Sequence, residues 1–295
     1  MALTIPFILL MLITVGLVGY LSFRSGQAAV DELAHQLIAS TTDRIEQKTI
    51  SYLDKPYLIN RTNAIAWQNG DLTTDDFTTL HLQATKMEKQ FFNQASADIN
   101  TPTIYFADRD REFVLVKAYS GGGGPTERYV DEGAGHTNVQ NAFTNGENYR
   151  YVLDEFGNRT IPKGSKEYDF TTRPWYQIAA EAEGSTWTPI YEGPAGDILF
   201  VTAVYPVDDE SGNFFGVFSC DLTLEQITTF LRDMVITPNG EAYIIERSGE
   251  LVATSMTESP IARISETEVD RLLAIDSSEP LLQSSMKATL TSFGD

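Results

Sequence analysis

The chain opens with an unbroken apolar run. Thr4 to Phe23 (TIPFILLMLITVGLVGYLSF) carries no charged side chain over its twenty residues, and at about 1.5 Å per residue a helix of that length crosses a hydrocarbon core of about 30 Å. The competing reading is a cleaved signal peptide, with Gly26-Gln27-Ala28 as its small-residue cleavage pattern. The run exceeds the roughly 7–15 apolar residues of a signal core, and no Lys or Arg precedes it. An uncleaved membrane anchor is therefore expected. Apolar positions then fall to helical spacing, with Val30, Leu33, Leu37, Thr41 and Ile45 forming a narrow stripe and Asp31, Glu32, Asp43, Glu46 and Lys48 on other faces. Pro56 is expected to kink or end this helix, and the stretch Asn60 to Asn63 to interrupt it further. The stripe suits either a homodimer or packing on the chain's own domain. Asp71 to Asp76 offer capping residues for a second helix carrying Phe77, Leu80, Leu82 and Phe91.

From Pro102 the period changes to that of strands. Thr103 to Ala107 and Glu112 to Val116 read as two strands joined by the turn Asp108-Arg109-Asp110-Arg111. Tyr149 to Val152, Trp187 to Tyr191, Ile198 to Val207 and Phe214 to Cys220 read likewise, and Asp208 to Asn213 is a hairpin turn between the last two. Leu222 to Met234 then reads as a helix, and Pro238-Asn239-Gly240 as a joint. Tyr243 to Ala253 matches Tyr105 to Leu115 position by position; the match is either chance hairpin chemistry or the mark of a second α/β lobe, related to the first and beginning near Gly240. Gly121 to Gly124 lack the trailing Lys and Ser/Thr of a phosphate loop, and the 208–213 carboxylates lack the spacing of a calcium loop.

Composition narrows the chemistry. Against 21 Lys and Arg stand 41 Asp and Glu, a formal charge of −20, which repels phosphate backbones; no nucleic-acid partner is expected. Three histidines and one cysteine, far apart, offer no metal-ligand spacing, and a lone Cys220 excludes an internal disulfide; no cofactor or metal is implied. No nucleophile elbow, His-Glu-x-x-His or phosphate loop is present, so catalysis is not expected of this region.

The most specific stretch is Tyr168-Asp169-Phe170-Thr171-Thr172-Arg173-Pro174-Trp175-Tyr176. With the preceding order of elements it resembles the extracytoplasmic double Cache (dCache) sensor domains of bacterial transmembrane receptors. Tyr191 and Asp221 stand at spacings similar to those of the subgroup that binds free α-amino acids. The resemblance implies an α+β fold: a long N-terminal helix followed by two PAS-like lobes with antiparallel sheets, the second incomplete in this chain. It implies residues 1–3 as a tail, 4–23 as the transmembrane helix, 24–60 as a stalk helix, 61–238 as the membrane-distal ligand-binding lobe and 239–295 as the start of a membrane-proximal lobe. It also implies that Tyr168, Arg173 and Trp175 hold a ligand carboxylate, while Tyr176, Tyr191 and Asp221 enclose or bond its ammonium.

Chemically the set is coherent. A guanidinium fits a carboxylate bidentately, aromatic side chains wall a small zwitterion away from water, and a carboxylate balances a buried ammonium. Each residue also has a plainer reading: Arg173 paired with Asp169 or Glu167, Trp175 as core, Asp221 as N-cap of the helix at Leu222. Tyr119, Tyr129 and Tyr149 are further wall candidates. The functional expectation is a sensor at the cell membrane, its sensing region extracytoplasmic, bound to a small molecule. The alternatives are a sensor of an amine or short carboxylate, or a passive adhesion module. The protein is expected to continue through a second membrane helix to an output module, whether histidine kinase, methyl-accepting module or nucleotide or diguanylate cyclase.

Overall fold

The computed structural model describes residues 4–73, 84–97, 103–119, 133–234, 240–265 and 269–293. Residues 1–52 and 53–295 are separate compact units. One helix, α1 (Thr4–Gln68), belongs to both. It contains Pro56 and runs past the expected end at residue 60. The proline removes one backbone donor, and the turns after it are held by tertiary contacts that compensate. Asn60 is 1% exposed; its Nδ2 donates to Ala203 O at 2.8 Å, and its Oδ1 accepts from Cys220 Sγ at 3.0 Å. Asn63 exchanges two hydrogen bonds with Gln94. These asparagines, expected to interrupt the helix, fasten it instead.

The second helix, α2 (Lys86–Ser96), starts at a cap the sequence reading passed over. Thr85 and Glu88 form a capping box, and Phe91 is fully buried. Phe77, Leu80 and Leu82 lie outside the described residues. Glu88 also takes two charge-assisted bonds from Arg159, Nε to Oε1 at 2.8 Å, in a pair whose side chains are almost wholly buried.

Among the described residues, nine antiparallel strands form the main sheet. They are β1 (Thr103–Asp108), β2 (Phe113–Ala118), β3 (Gly135–Gln140), β4 (Asn148–Leu153), β5 (Arg159–Lys166), β6 (Thr186–Trp187), β7 (Tyr191–Glu192), β8 (Leu199–Asp208) and β9 (Phe214–Thr223). Their order is β5-β4-β3-β2-β1-β9-β8-β6, with β7 also on β8. The expected strand 187–191 is two short strands. Pro189 has no N–H to give, and the pairing with β8 slips by one residue between Trp187↔Ala203 and Tyr191↔Phe200. β3 and β5 were not anticipated: His136-Thr137-Asn138 and Pro162-Lys163-Gly164 carry too few apolar residues to read as strands.

Alternation sorts the sheet into two faces. Ile104, Phe106, Val114, Val116, Phe218 and Cys220 form one core with α2 and with Ala64 of α1. Tyr105, Ala107, Phe113, Val204 and Val217 face the other way, against α3 (Pro174–Glu181) with Trp175 and Ala179. Helix α4 (Leu224–Asp233) follows β9, two residues later than expected.

Beyond it lie β10 (Tyr243–Ile245) paired with β11 (Leu251–Thr254), β12 (Ile261–Arg263) paired with β13 (Val269–Arg271), and α5 (Pro280–Phe293). The β10–β11 hairpin repeats the β1–β2 turn: Glu246 N donates to Glu250 O and Gly249 N to Glu246 O, as Asp108 N does to Glu112 O and Arg111 N to Asp108 O. Gly249 and Arg111 both have positive φ, 89° and 67°. The same turn closes 154–158 and 209–213, so it is generic hairpin chemistry. The strands of the repeat pair alike only up to a bulge at Ile244/Ile245. In the 209–213 turn Asp209 Oδ1 accepts from the N–H groups of Ser211 and Asn213, which accounts for its carboxylate without a metal.

Candidate functional site

A cavity of about 540 Å³ opens on the sheet face that carries α3. Five of the six expected ligand residues line it: Tyr168, Arg173, Trp175, Tyr191 and Asp221. Tyr176 does not. Its ring stands edge-on to Trp175 and Phe214, at 5.7 and 5.6 Å between centroids, as part of the aromatic core. One turn of helix separates neighbours on a common face, so consecutive residues such as Trp175 and Tyr176 point in different directions.

The plainer reading of Asp221, as cap of the following helix, does not hold. It lies inside β9, and Thr223 caps α4 in a capping box with Gln226. Asp221 stands opposite Thr103 on one side and Thr202 on the other. Tyr105 Oη and Thr202 Oγ1 both donate to its Oδ1 at 2.6 Å. Thr202 has a single proton, already used, so the 2.6 Å contact between Tyr191 Oη and Thr202 Oγ1 has the tyrosine as donor. Among the described residues nothing donates to Asp221 Oδ2, which is left to the cavity. Burial pushes the carboxyl up from 3.8 to about 6, against the pull of its two hydroxyl donors and of Lys117 and Arg173. Desolvation also raises the phenols around it, Tyr168 to about 12, and those of Tyr105 and Tyr191 as well. Tyr105 and Thr202 carried no sequence signal. Both became visible only through strand register.

Arg173 sits where a short 3-10 helix (Phe170–Thr172) meets α3, with Pro174 fixing the first helical position. It is not the partner of Asp169, which takes Arg111 at 2.9 Å and caps the 3-10 helix. Arg173 Nη2 donates to Glu192 O at 2.5 Å, and the guanidinium lies 5.5 Å from the Tyr191 ring. Its Nε is buried without a hydrogen-bond partner, and no carboxylate among the described residues is ion-paired with it. Trp175 is 2% exposed and stands edge-on to Tyr105 at 4.8 Å, so it is both core and cavity wall. Of the three further candidates, Tyr119 bonds His136 Nδ1 at 2.7 Å, Tyr149 stacks on Tyr151, and Tyr129 lies outside the described residues.

The family model described as methyl-accepting chemotaxis protein-like, first PDC sensor domain, matches residues 92–229. The matched segment holds every described residue that lines the cavity. The chain is 34% identical over 97 residues to the methyl-accepting chemotaxis protein McpC of Bacillus subtilis, covering 32% of this chain and 15% of that protein. It is 30% identical over 86 residues to the methyl-accepting chemotaxis protein PctB of Pseudomonas aeruginosa, covering 29% and 14%. The chain thus spans about a seventh of the length of these curated relatives. Among solved structures, it is similar to the ligand-binding domain of the Campylobacter jejuni chemoreceptor Tlp3 in complex with L-valine, at 13% identity, with a TM-score of 0.44 and 75% and 68% of the two chains covered.

Proposed function

We propose that this chain is the ligand-sensing part of a methyl-accepting chemoreceptor and that its cavity binds an α-amino acid. Arg173 takes the carboxylate; Asp221 takes the ammonium; Tyr168, Trp175 and Tyr191 wall the space between. The observation that carries this reading is a pair of unspent opposite charges in one cavity: a guanidinium with an orphaned Nε and a carboxylate with one oxygen unclaimed. A buried donor or ion without a partner is costly, and a zwitterion supplies both partners at once. Residues 4–23 anchor the receptor in the cell membrane with residues 61–238 outside the cytoplasm; α1 is long and apolar enough to cross a bilayer. The names of the sequence relatives favour the methyl-accepting option among output modules.

Transmission follows from register. Ala203 and Cys220, the two residues held by Asn60 of α1, are the chain neighbours of Thr202 and Asp221. A ligand that draws Asp221 toward the cavity therefore pulls on strands bonded to α1, and output depends on how differently it binds the two strand positions.

Calorimetric titration of the detergent-solubilised chain with the L-α-amino acids tests the binding reading. Saturable binding by at least one of them is expected. Amidating the carboxylate or removing the amino group of that ligand should each weaken it tenfold or more, and Arg173→Ala should abolish it with the circular dichroism spectrum unchanged. A simple amine that binds while carboxylate-bearing analogues do not would overturn the assignment.

A further inference from the structure

We propose that the amino acid bound here ends its side chain in a carboxamide, read by the joined amides of Asn138 on β3 and Asn148 on β4. This inference rests on the amino-acid reading above and adds the side-chain class.

Both asparagines line the cavity, and Asn138 Nδ2 donates to Asn148 Oδ1 at 2.6 Å. That bond leaves over the Nδ2 of Asn148 and the Oδ1 of Asn138. Asn148 is 2% exposed, and its Nδ2 has no hydrogen-bond partner. Among the described residues nothing donates to Asn138 Oδ1. Turning both amides over exchanges their roles and again leaves an N–H group on one and a carbonyl on the other unspent. A primary amide matches the two together: its carbonyl accepts from Asn148 and its amino group donates to Asn138. A carboxylate has no proton to give Asn138, and an aliphatic end leaves the Asn148 donor buried and unpaired.

Strand register puts the pair within reach of the α-amino end. Tyr105 stands opposite Leu115, Leu115 opposite Asn138 and Asn138 opposite Arg150, one row across β1 to β4. Tyr105 holds Asp221 through its hydroxyl. Asn138 lies two strands further along that row, about 10 Å away at the usual spacing of neighbouring strands. Leu115, between them, lines the cavity. A side chain whose α-carbon sits beside Asp221 crosses Leu115 with its methylene groups and brings its end to the two asparagines. Nearby cations do not override this pairing. Lys117 and Arg150 have partners of their own. Lys166, the cross-strand neighbour of Asn148, is exposed at a strand end, where water and salt screen its charge.

Titration of the detergent-solubilised full chain with L-glutamine, L-glutamate and L-norleucine tests this. Glutamine should bind about tenfold or more tightly than either of the others, because a site built to hydrogen-bond a group rejects analogues that lack it. Asn148→Asp keeps the acceptor for Asn138 and replaces the unspent donor with a second acceptor. It should weaken glutamine binding about tenfold or more, with the circular dichroism spectrum unchanged. Glutamate or norleucine binding as tightly as glutamine overturns the side-chain assignment and leaves the amino-acid reading standing. A glutamine preference unmoved by Asn148→Asp overturns it as well, as does binding of some other amino acid with none of the three. Binding by no amino acid at all overturns both.

Discussion

At the residue scale, Asp221 costs the fold what it offers the ligand. Its carboxyl ionises at about 6 in the folded protein against 3.8 as a free side chain. Between those pH values the native state holds more protons than the unfolded chain, so stability rises as pH falls from 6 toward 4. At pH 7 the whole penalty is present, on the order of 3 kcal/mol at about 1.4 kcal/mol per pH unit. Asp221→Asn keeps an acceptor for Tyr105 and Thr202 and removes the ion. It should stabilise the protein at pH 7.5 by up to about 3 kcal/mol, with little change at pH 4, while ammonium binding is lost. Urea denaturation at the two pH values checks the first part; equal effects at both would refute it. In the wild-type protein, affinity for an ammonium ligand should fall as pH drops below about 6.

At the scale of elements, the Glu88–Arg159 pair joins the start of α2 to the start of β5. Glu88 serves the capping box and the ion pair together, accepting from Thr85 N at 2.8 Å as well as from the guanidinium. Arg159 also lies 5.0 Å from the ring of Tyr151, so its loss removes packing as well as charge. Arg159→Met strands a carboxylate in the interior and should cost about 3–5 kcal/mol. Arg159→Met combined with Glu88→Gln should recover part of that, because the buried ion is gone. Chemical denaturation of the single and double variants reads the difference, and a double variant no better than the single would count against an electrostatic origin.

At the scale of the whole molecule, the two readings of the N-terminal stripe, homodimer seam or packing on the chain's own domain, have a direct test. Val30, Leu33 and Leu37 are 65%, 65% and 58% exposed on α1, an apolar stripe with no cover from the single chain. Leu37→Glu places a charge in the seam of such a pair, where it meets its own copy. Sedimentation of the detergent-solubilised chain at several concentrations should show association that the variant loses. An unchanged association state would remove the stripe as the interface.

Several features were determined by the sequence alone, for physical reasons local to the chain. Twenty uncharged residues need a non-aqueous solvent whatever the fold around them. Alternating apolar residues in 103–118 and 199–220 specify strands with two different faces, and Asp-led turns with a residue of positive φ close their hairpins. Arg173, Trp175 and Tyr191 were legible as candidates through the resemblance of 168–176 and its spacing to Tyr191 and Asp221 to the dCache motif.

Other features required the tertiary structure. Pro56 is tolerated because Asn60 and Asn63, distant from their partners by 143 and 31 residues, fasten the helix beyond it. Trp175 and Tyr176, adjacent in sequence, part company because a helix turns them to different surroundings. Asp221 lines the cavity and does not cap α4 because β9 continues to Thr223. Its partners Tyr105 and Thr202, and the donors on β3 and β4, come from strands whose register is set by which face is buried, a property of the assembled sheet that no local pattern contains.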